Sequence, residues 1–95
     1  MLSKVYLKSS TGYGINMPTI FRQDGFRFYF YSQEGNEPAH IHVQYGDKTA
    51  KFWLTPNSLA SNFGLKANEL RKASLIIEEN QETFKEKWNE YFSRK

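Results

Sequence analysis

The chain carries only two histidines, His40 and His42, two residues apart in Glu37-Pro38-Ala39-His40-Ile41-His42-Val43. The alternation reads as a β-strand, in which residues i and i+2 leave the same face of a sheet. Two imidazoles about 7 Å apart along a strand suit three kinds of chemistry. In metal-independent RNA cleavage, one ring takes the proton of a 2′-hydroxyl while the other protonates the leaving oxygen, and Lys51 or Arg27 stabilises the developing phosphorane charge. As metal ligands they need a third donor, for which Glu34 and Glu37 are nearest; a two-ligand pattern is unspecific, so neither a metal nor a cofactor is assigned. As phosphate contacts they bind nucleic acid without breaking a bond. Against all three stands the plain alternative that the strand's polar face holds ordinary cross-strand pairs, or is covered by a second protomer or a partner.

Composition narrows the classes. At 95 residues the chain supports one layered core, so a site must lie on a face or edge. Thirteen Lys and Arg against ten Asp and Glu, with a net charge of +3, lean towards an anionic partner without requiring one. Aromatic residues make up 17% of the chain, more than a core this small absorbs, so some rings are expected at a surface or interface. The absence of cysteine excludes disulfides, thiolate catalysis and cysteine-bound zinc. Residues 1–16 lack the continuous apolar run of a signal peptide or membrane span, so a soluble, cytoplasmic protein without membrane association is expected.

The elements that must position the histidines are legible from turn residues. Thr19 to Gln23 and Phe26 to Ser32 are β-rich runs joined by Asp24-Gly25, the pair favoured in a type I′ hairpin turn. That turn sets Phe21 against Phe28, Arg22 against Arg27 and Ile20 against Tyr29. A second hairpin, Ala39 to Tyr45 and Lys48 to Leu54, closes through Gly46-Asp47 and places His42 opposite Lys51 and His40 opposite Trp53. Thr55-Pro56-Asn57-Ser58 reads as the end of the sheet, and Asn62-Phe63-Gly64 as a breaker. From Ala67 to Phe92, apolar residues recur at Leu70, Ala73, Ile77, Phe84, Trp88 and Tyr91, the stripe of one long helix, with Asn80 expected at its exposed margin.

The expected fold class is therefore α+β: an antiparallel sheet of four or five strands, built from two hairpins, with one long C-terminal helix packed on one face. The opposite face then displays Arg22, Arg27, Tyr29, Tyr31, His40, His42, Lys51 and Trp53, a mixture of cations and rings that suits single-stranded nucleic acid.

The runs Met17-Pro18-Thr19-Ile20-Phe21, Gly25-Phe26-Arg27-Phe28-Tyr29-Phe30-Tyr31-Ser32, Glu37-Pro38-Ala39-His40-Ile41-His42-Val43 and Ala50-Lys51-Phe52-Trp53, with Ile76-Ile77-Glu78-Glu79-Asn80 and Trp88-Asn89-Glu90-Tyr91 in the helix, resemble a small bacterial family called domain of unknown function 4160. The resemblance implies a protein encoded beside a second small protein in a toxin–antitoxin-like pair, and it assigns no catalytic residue. Family members usually begin at the equivalent of Met17, so residues 1–16 are expected as an extension or an extra strand before a single domain spanning 17–95. Together these readings give a leading expectation of a component of a two-protein module. It engages RNA through Arg22, Arg27, Tyr29, Tyr31 and Trp53, with His40, His42 and Lys51 as catalytic candidates for a ribonuclease. The rival expectation is a non-enzymatic interaction module whose open sheet face docks a cognate protein or a second copy in a homo-oligomer.

Overall fold

The structure, a computed structural model, describes residues 18–31 and 34–92. The expected N-terminal extension or extra strand, residues 1–16, lies outside the described residues. The two expected hairpins form as β1 (Thr19–Gln23) with β2 (Phe26–Tyr29) and β3 (His40–Tyr45) with β4 (Lys48–Leu54). Asp24 and Gly25 both have positive φ, 53° and 86°, as a type I′ turn demands, and Gly46 supplies φ 64° in the second turn. These turns fix the register: Phe21 faces Phe28, Arg22 faces Arg27, His40 faces Trp53 and His42 faces Lys51. One pairing shifts. An irregularity between Thr19 and Phe21 sets Thr19, rather than Ile20, against Tyr29, the extra residue of a β-bulge at a sheet edge.

The sheet has a fifth strand where the sequence reads as a stop. After a tight turn at Thr55-Pro56, β5 (Asn57–Phe63) pairs antiparallel along β4, giving a meander in the order β1-β2-β3-β4-β5. Its residues, Asn-Ser-Leu-Ala-Ser-Asn-Phe, are poor strand formers and give no alternation to read. The free edge of β4 supplies the hydrogen bonds that propensity does not. Asn residues then fasten β5 to the helical part of the chain: Asn57 Nδ2 donates to Ser74 O at 3.1 Å, and Asn62 brackets Leu65, accepting from its N–H and donating to its carbonyl at 3.0 Å.

The expected single helix is two: α1 (Ala67–Glu79) and α2 (Gln81–Phe92). The break is at Asn80, whose backbone leaves helical geometry (φ −116°, ψ 20°). Its side-chain Nδ2 donates to Ile76 O at 2.8 Å while its own N–H is shared between Ile76 O and Ile77 O, both at 3.1 Å. This is the short amide competing with the helix ladder, so Asn80 is half-buried and structural rather than marginal. The helix stripe expected from spacing is still used, in two pieces. Ala73, Ile76 and Ile77 of α1 and Phe84 and Trp88 of α2 are buried in one core with Phe26, Phe28, Phe30, Ile41, Val43, Ala50, Phe52 and Leu54 of the sheet side. Phe84 sits 5.5 Å from Phe28 and 5.6 Å from Phe21, and Trp88 stands edge-on to Phe30 at 5.4 Å, ring centre to ring centre. Both helices therefore cover one sheet face.

At the far end of the sheet Trp88 and Phe92 of α2 pack against Phe30, just past β2, and in the loop beyond it Gly35 lies so close to Phe92 that an added Cβ would stand 2.8 Å from Cδ1. Gly35 thus lets the connection between β2 and β3 lie flat against α2. Gly35→Ala is expected to lower stability by about 1 kcal/mol, since overpacking forces a neighbour to move, measured as a shift of the urea midpoint.

Candidate functional site

His40 is the first residue of β3 and His42 lies two places further on, so both project to the face away from the core. Glu34, in the connection from β2, folds back onto them. His40 Nε2 lies 2.7 Å and His42 Nε2 2.8 Å from the same oxygen, Glu34 Oε1. The other nitrogen of His40, Nδ1, donates to Pro38 O at 2.9 Å. A peptide carbonyl only accepts, so this contact places a proton on Nδ1 and aims Nε2 at the carboxylate. Around this core the rings close in: Trp88 at 4.8 Å and Trp53 at 5.7 Å from His40, Tyr29 stacked on His42 at 5.4 Å, and Tyr31 edge-on to it at 4.5 Å.

The consequence is burial. His40 has no exposed surface and His42 retains 8%, whereas Glu34 keeps 22% of its side chain exposed. Strand alternation places His40 on an open face; the structure buries it, because the loop carrying Glu34 and Pro38 crosses the start of β3 and Trp88 of α2 caps the ring from the end. Burial of the Glu34 carboxyl pushes its pKa up, but the hydrogen bonds and charges of His40 and His42 outweigh this and hold it below the usual carboxylate range. For His42, burial is the larger influence and lowers its pKa, against the opposing pull of Glu34.

This geometry bears on the catalytic candidates. An acid–base pair for RNA cleavage works on opposite sides of the phosphorus, one imidazole on the attacking oxygen and one on the leaving oxygen. Here both Nε2 atoms converge on a single carboxylate oxygen. Lys51 is cross-strand from His42 as expected, but its ammonium goes to Glu37 Oε1 at 2.7 Å and lies 4.7 Å over the Trp53 ring. The structure brings His40, His42 and Glu34 together and ties Lys51 to Glu37, whose Oε1 also lies 3.7 Å from His40 Nδ1.

The candidate binding residues divide between surface and interior. Tyr29 is 3% exposed, covered by the Arg27 guanidinium at 4.4 Å and by Tyr31, so it supports the face rather than displaying a ring. Arg27 itself donates to Thr19 Oγ1 at 2.7 Å and Gln44 Oε1 at 3.0 Å. Arg22 is exposed, while Tyr31 and Trp53 are half-buried. Register adds one residue that composition and spacing give no reason to choose. The row Arg22, Arg27, Gln44, Thr49 continues across β5 to Phe63, which is 70% exposed on the same face as Lys51. Phe63 can be placed only once β5 is known to be a strand.

Burial raises the Tyr29 hydroxyl to about 12, with Tyr31 adding to the effect. A folded-state pKa above that of the unfolded chain favours the fold while the phenol is neutral. That contribution is complete below pH 10 and is lost as pH rises through about 12. Urea midpoints measured across this range should fall more steeply for the native chain than for Tyr29→Phe, which has no phenol to ionise.

The strand and helix segments that build this cluster and face coincide with a known family. The family model described as a domain of unknown function, DUF4160, matches residues 25–89, which include β2 to β5, α1 and most of α2. The chain belongs to the DUF4160 family. The matched span contains Glu34, His40 and His42 with Lys51, Trp53 and Phe63, so the buried cluster and most of the face lie within the DUF4160 domain, and Arg22 lies before it. No curated protein and no solved structure gives a significant match. Among the described residues no helix is long and apolar enough to cross a membrane.

Proposed function

We propose that the chain engages single-stranded RNA through the sheet face opposite the helices, as one component of a small two-protein, toxin–antitoxin-like module. The observation that carries this reading is the arrangement of rings and cations on that face. Trp53 and Tyr31 are half-buried and Phe63 is exposed, so three ring surfaces lie along a sheet that also carries Arg22, Arg27 and Lys51. Bases stack on rings irrespective of sequence, and cations track the phosphates between them. The half-buried rings are held by the structure before RNA arrives, which limits the ordering cost of binding. The partner protein in this proposal rests on the family resemblance.

A fluorescent single-stranded oligoribonucleotide, titrated with the full chain and followed by anisotropy, tests the reading. Three phosphate contacts from Arg22, Arg27 and Lys51 predict a slope of log affinity against log salt of about −2. A slope near zero, or no binding at low salt, contradicts it.

A second reading has its own observation. β5 is a sheet edge whose seven residues, Asn57–Phe63, carry neither charge nor proline, and it exposes 46% of Leu59 and 70% of Phe63. Edges are normally blunted by charge, proline or cover, and an unblunted one is suited to receiving a strand from a partner. On this reading the cognate protein adds to β5. Ala60 falls where the register against β4 shifts and has no partner residue there, so a proline at this position spares the ladder to β4 while blunting the edge. Ala60→Pro is therefore expected to abolish co-purification of the cognate protein while leaving RNA affinity unchanged.

A further inference from the structure

The geometry points to a transition-metal site formed by Glu34 Oε1, His40 Nε2 and His42 Nε2, taking a divalent ion of the zinc, cobalt or nickel class. The three ligand atoms lie within 4.8 Å of one another. Their chemistry matters more than their proximity. Nδ1 of His40 donates its hydrogen bond to Pro38 O, which aims Nε2 at Glu34 Oε1, 2.7 Å away, as the ring atom that gives its lone pair to an ion. At 2.7 and 2.8 Å the oxygen and the two nitrogens stand at hydrogen-bond spacing; an ion bonded at about 2.0–2.1 Å to each would replace the shared protons as the ligand atoms open to about 3.3 Å.

The surroundings are those of a metal-binding histidine. A backbone carbonyl on Nδ1 fixes the tautomer and turns Nε2 towards the ion, the usual outer support of such a ligand. Trp53, Trp88, Tyr29 and Tyr31 wall the two rings so that neither can rotate freely, and Glu34, with 22% of its side chain exposed, marks the side open to solvent. Two imidazoles and one carboxylate form a borderline nitrogen and oxygen set, which favours zinc, cobalt and nickel over magnesium or calcium. Three protein ligands leave at least one coordination position for water or a ligand oxygen, as in metal sites that bind an exchangeable group. Sequence proximity offers Glu34 and Glu37 as donors that could complete the pair; Glu34 Oε1 meets both Nε2 atoms, whereas Glu37 Oε1 bonds Lys51 and lies 3.7 Å from Nδ1 of His40, the nitrogen turned away from the site. The ligand atoms belong to Glu34, His40 and His42, none of which is a proposed RNA contact, while Trp53 and Tyr31 wall the two imidazoles as well as facing RNA.

The untagged full chain, stripped with a chelator, provides a clean readout because its only imidazoles are those of His40 and His42. Titration with zinc, followed through the ¹⁵N signals of the two rings, should shift both Nε2 resonances and saturate at one ion per chain, with cobalt giving visible d–d absorption and magnesium giving no response. The stripped chain should also melt at a lower temperature than the loaded one. Glu34→Gln and His42→Gln, both checked for folding by circular dichroism, should weaken zinc by more than about 100-fold, since losing a ligand costs more than losing the outer support of one, whereas Glu82→Gln on the exposed side of α2 should bind as the native chain does. If zinc leaves both ring signals unmoved, or if Glu34→Gln and His42→Gln bind as tightly as the native chain, the cluster is a proton-linked ion pair and the inference is overturned.

Discussion

Glu34→Ala is expected to destabilise the chelator-treated protein by about 3 kcal/mol, the cost of breaking a buried pair by removing one partner. The reason is the asymmetry between making and losing a buried polar contact. Glu34 Oε1 serves two imidazoles at once, and one of them, His40, has no exposed surface through which water could replace it. Glu37 is the internal control. It bonds Lys51 at 2.7 Å and lies 3.7 Å from His40 Nδ1, beyond hydrogen-bond reach, and with 40% of its side chain exposed water substitutes readily. Glu37→Ala should therefore cost less than about 1 kcal/mol. Urea denaturation of the two variants separates a buried bridge from a surface pair; equal losses would show that Glu34 acts as an ordinary surface carboxylate. His42→Ala combined with Glu34→Ala should lose less than the sum of the single changes, because both remove the same contact.

Trp53→Ala is expected to weaken single-stranded RNA binding by about 5- to 150-fold, which corresponds to the roughly 1–3 kcal/mol carried by one stacked base. Trp53 is a half-buried ring with the Lys51 ammonium 4.7 Å over it. Stacking is indifferent to the identity of the base, so the loss should be similar across RNA sequences. Trp53→Phe keeps a π-face and should recover most of the affinity, which distinguishes lost stacking from disturbance of His40, whose ring lies 5.7 Å away. An unaltered affinity in Trp53→Ala, measured by anisotropy, removes Trp53 from the binding surface.

The parts of this architecture that local chemistry dictates are legible in the sequence. Asp24-Gly25 and Gly46-Asp47 are the residues that primed turns require, and each turn fixes a register, which is why His40 opposite Trp53 and His42 opposite Lys51 can be had by counting. The aromatic core face and the helical stripe come from periods of two and of three to four. The hidden parts depend on partners distant in sequence. β5 is a strand because β4 offers it an edge, not because Ser58, Ala60 or Ser61 would choose one, and without β5 the exposed Phe63 has no place on the face. Asn80 breaks the helix through a side-chain bond to Ile76 O that propensity does not weigh. Burial of His40 comes from Glu34 and Trp88 arriving from a loop and from α2, and strand alternation alone leaves that ring facing solvent.

The central claim is that RNA lies on the sheet face away from the helices. Amide chemical-shift mapping of the full chain against a single-stranded oligoribonucleotide tests it most directly. The predicted result is a set of shifts concentrated at Arg22, Tyr31, Lys51, Trp53 and Phe63, with Ala73, Ile76 and Ile77 of α1 unmoved beneath the sheet. Shifts confined to the helices, or none at saturating RNA, would contradict the account.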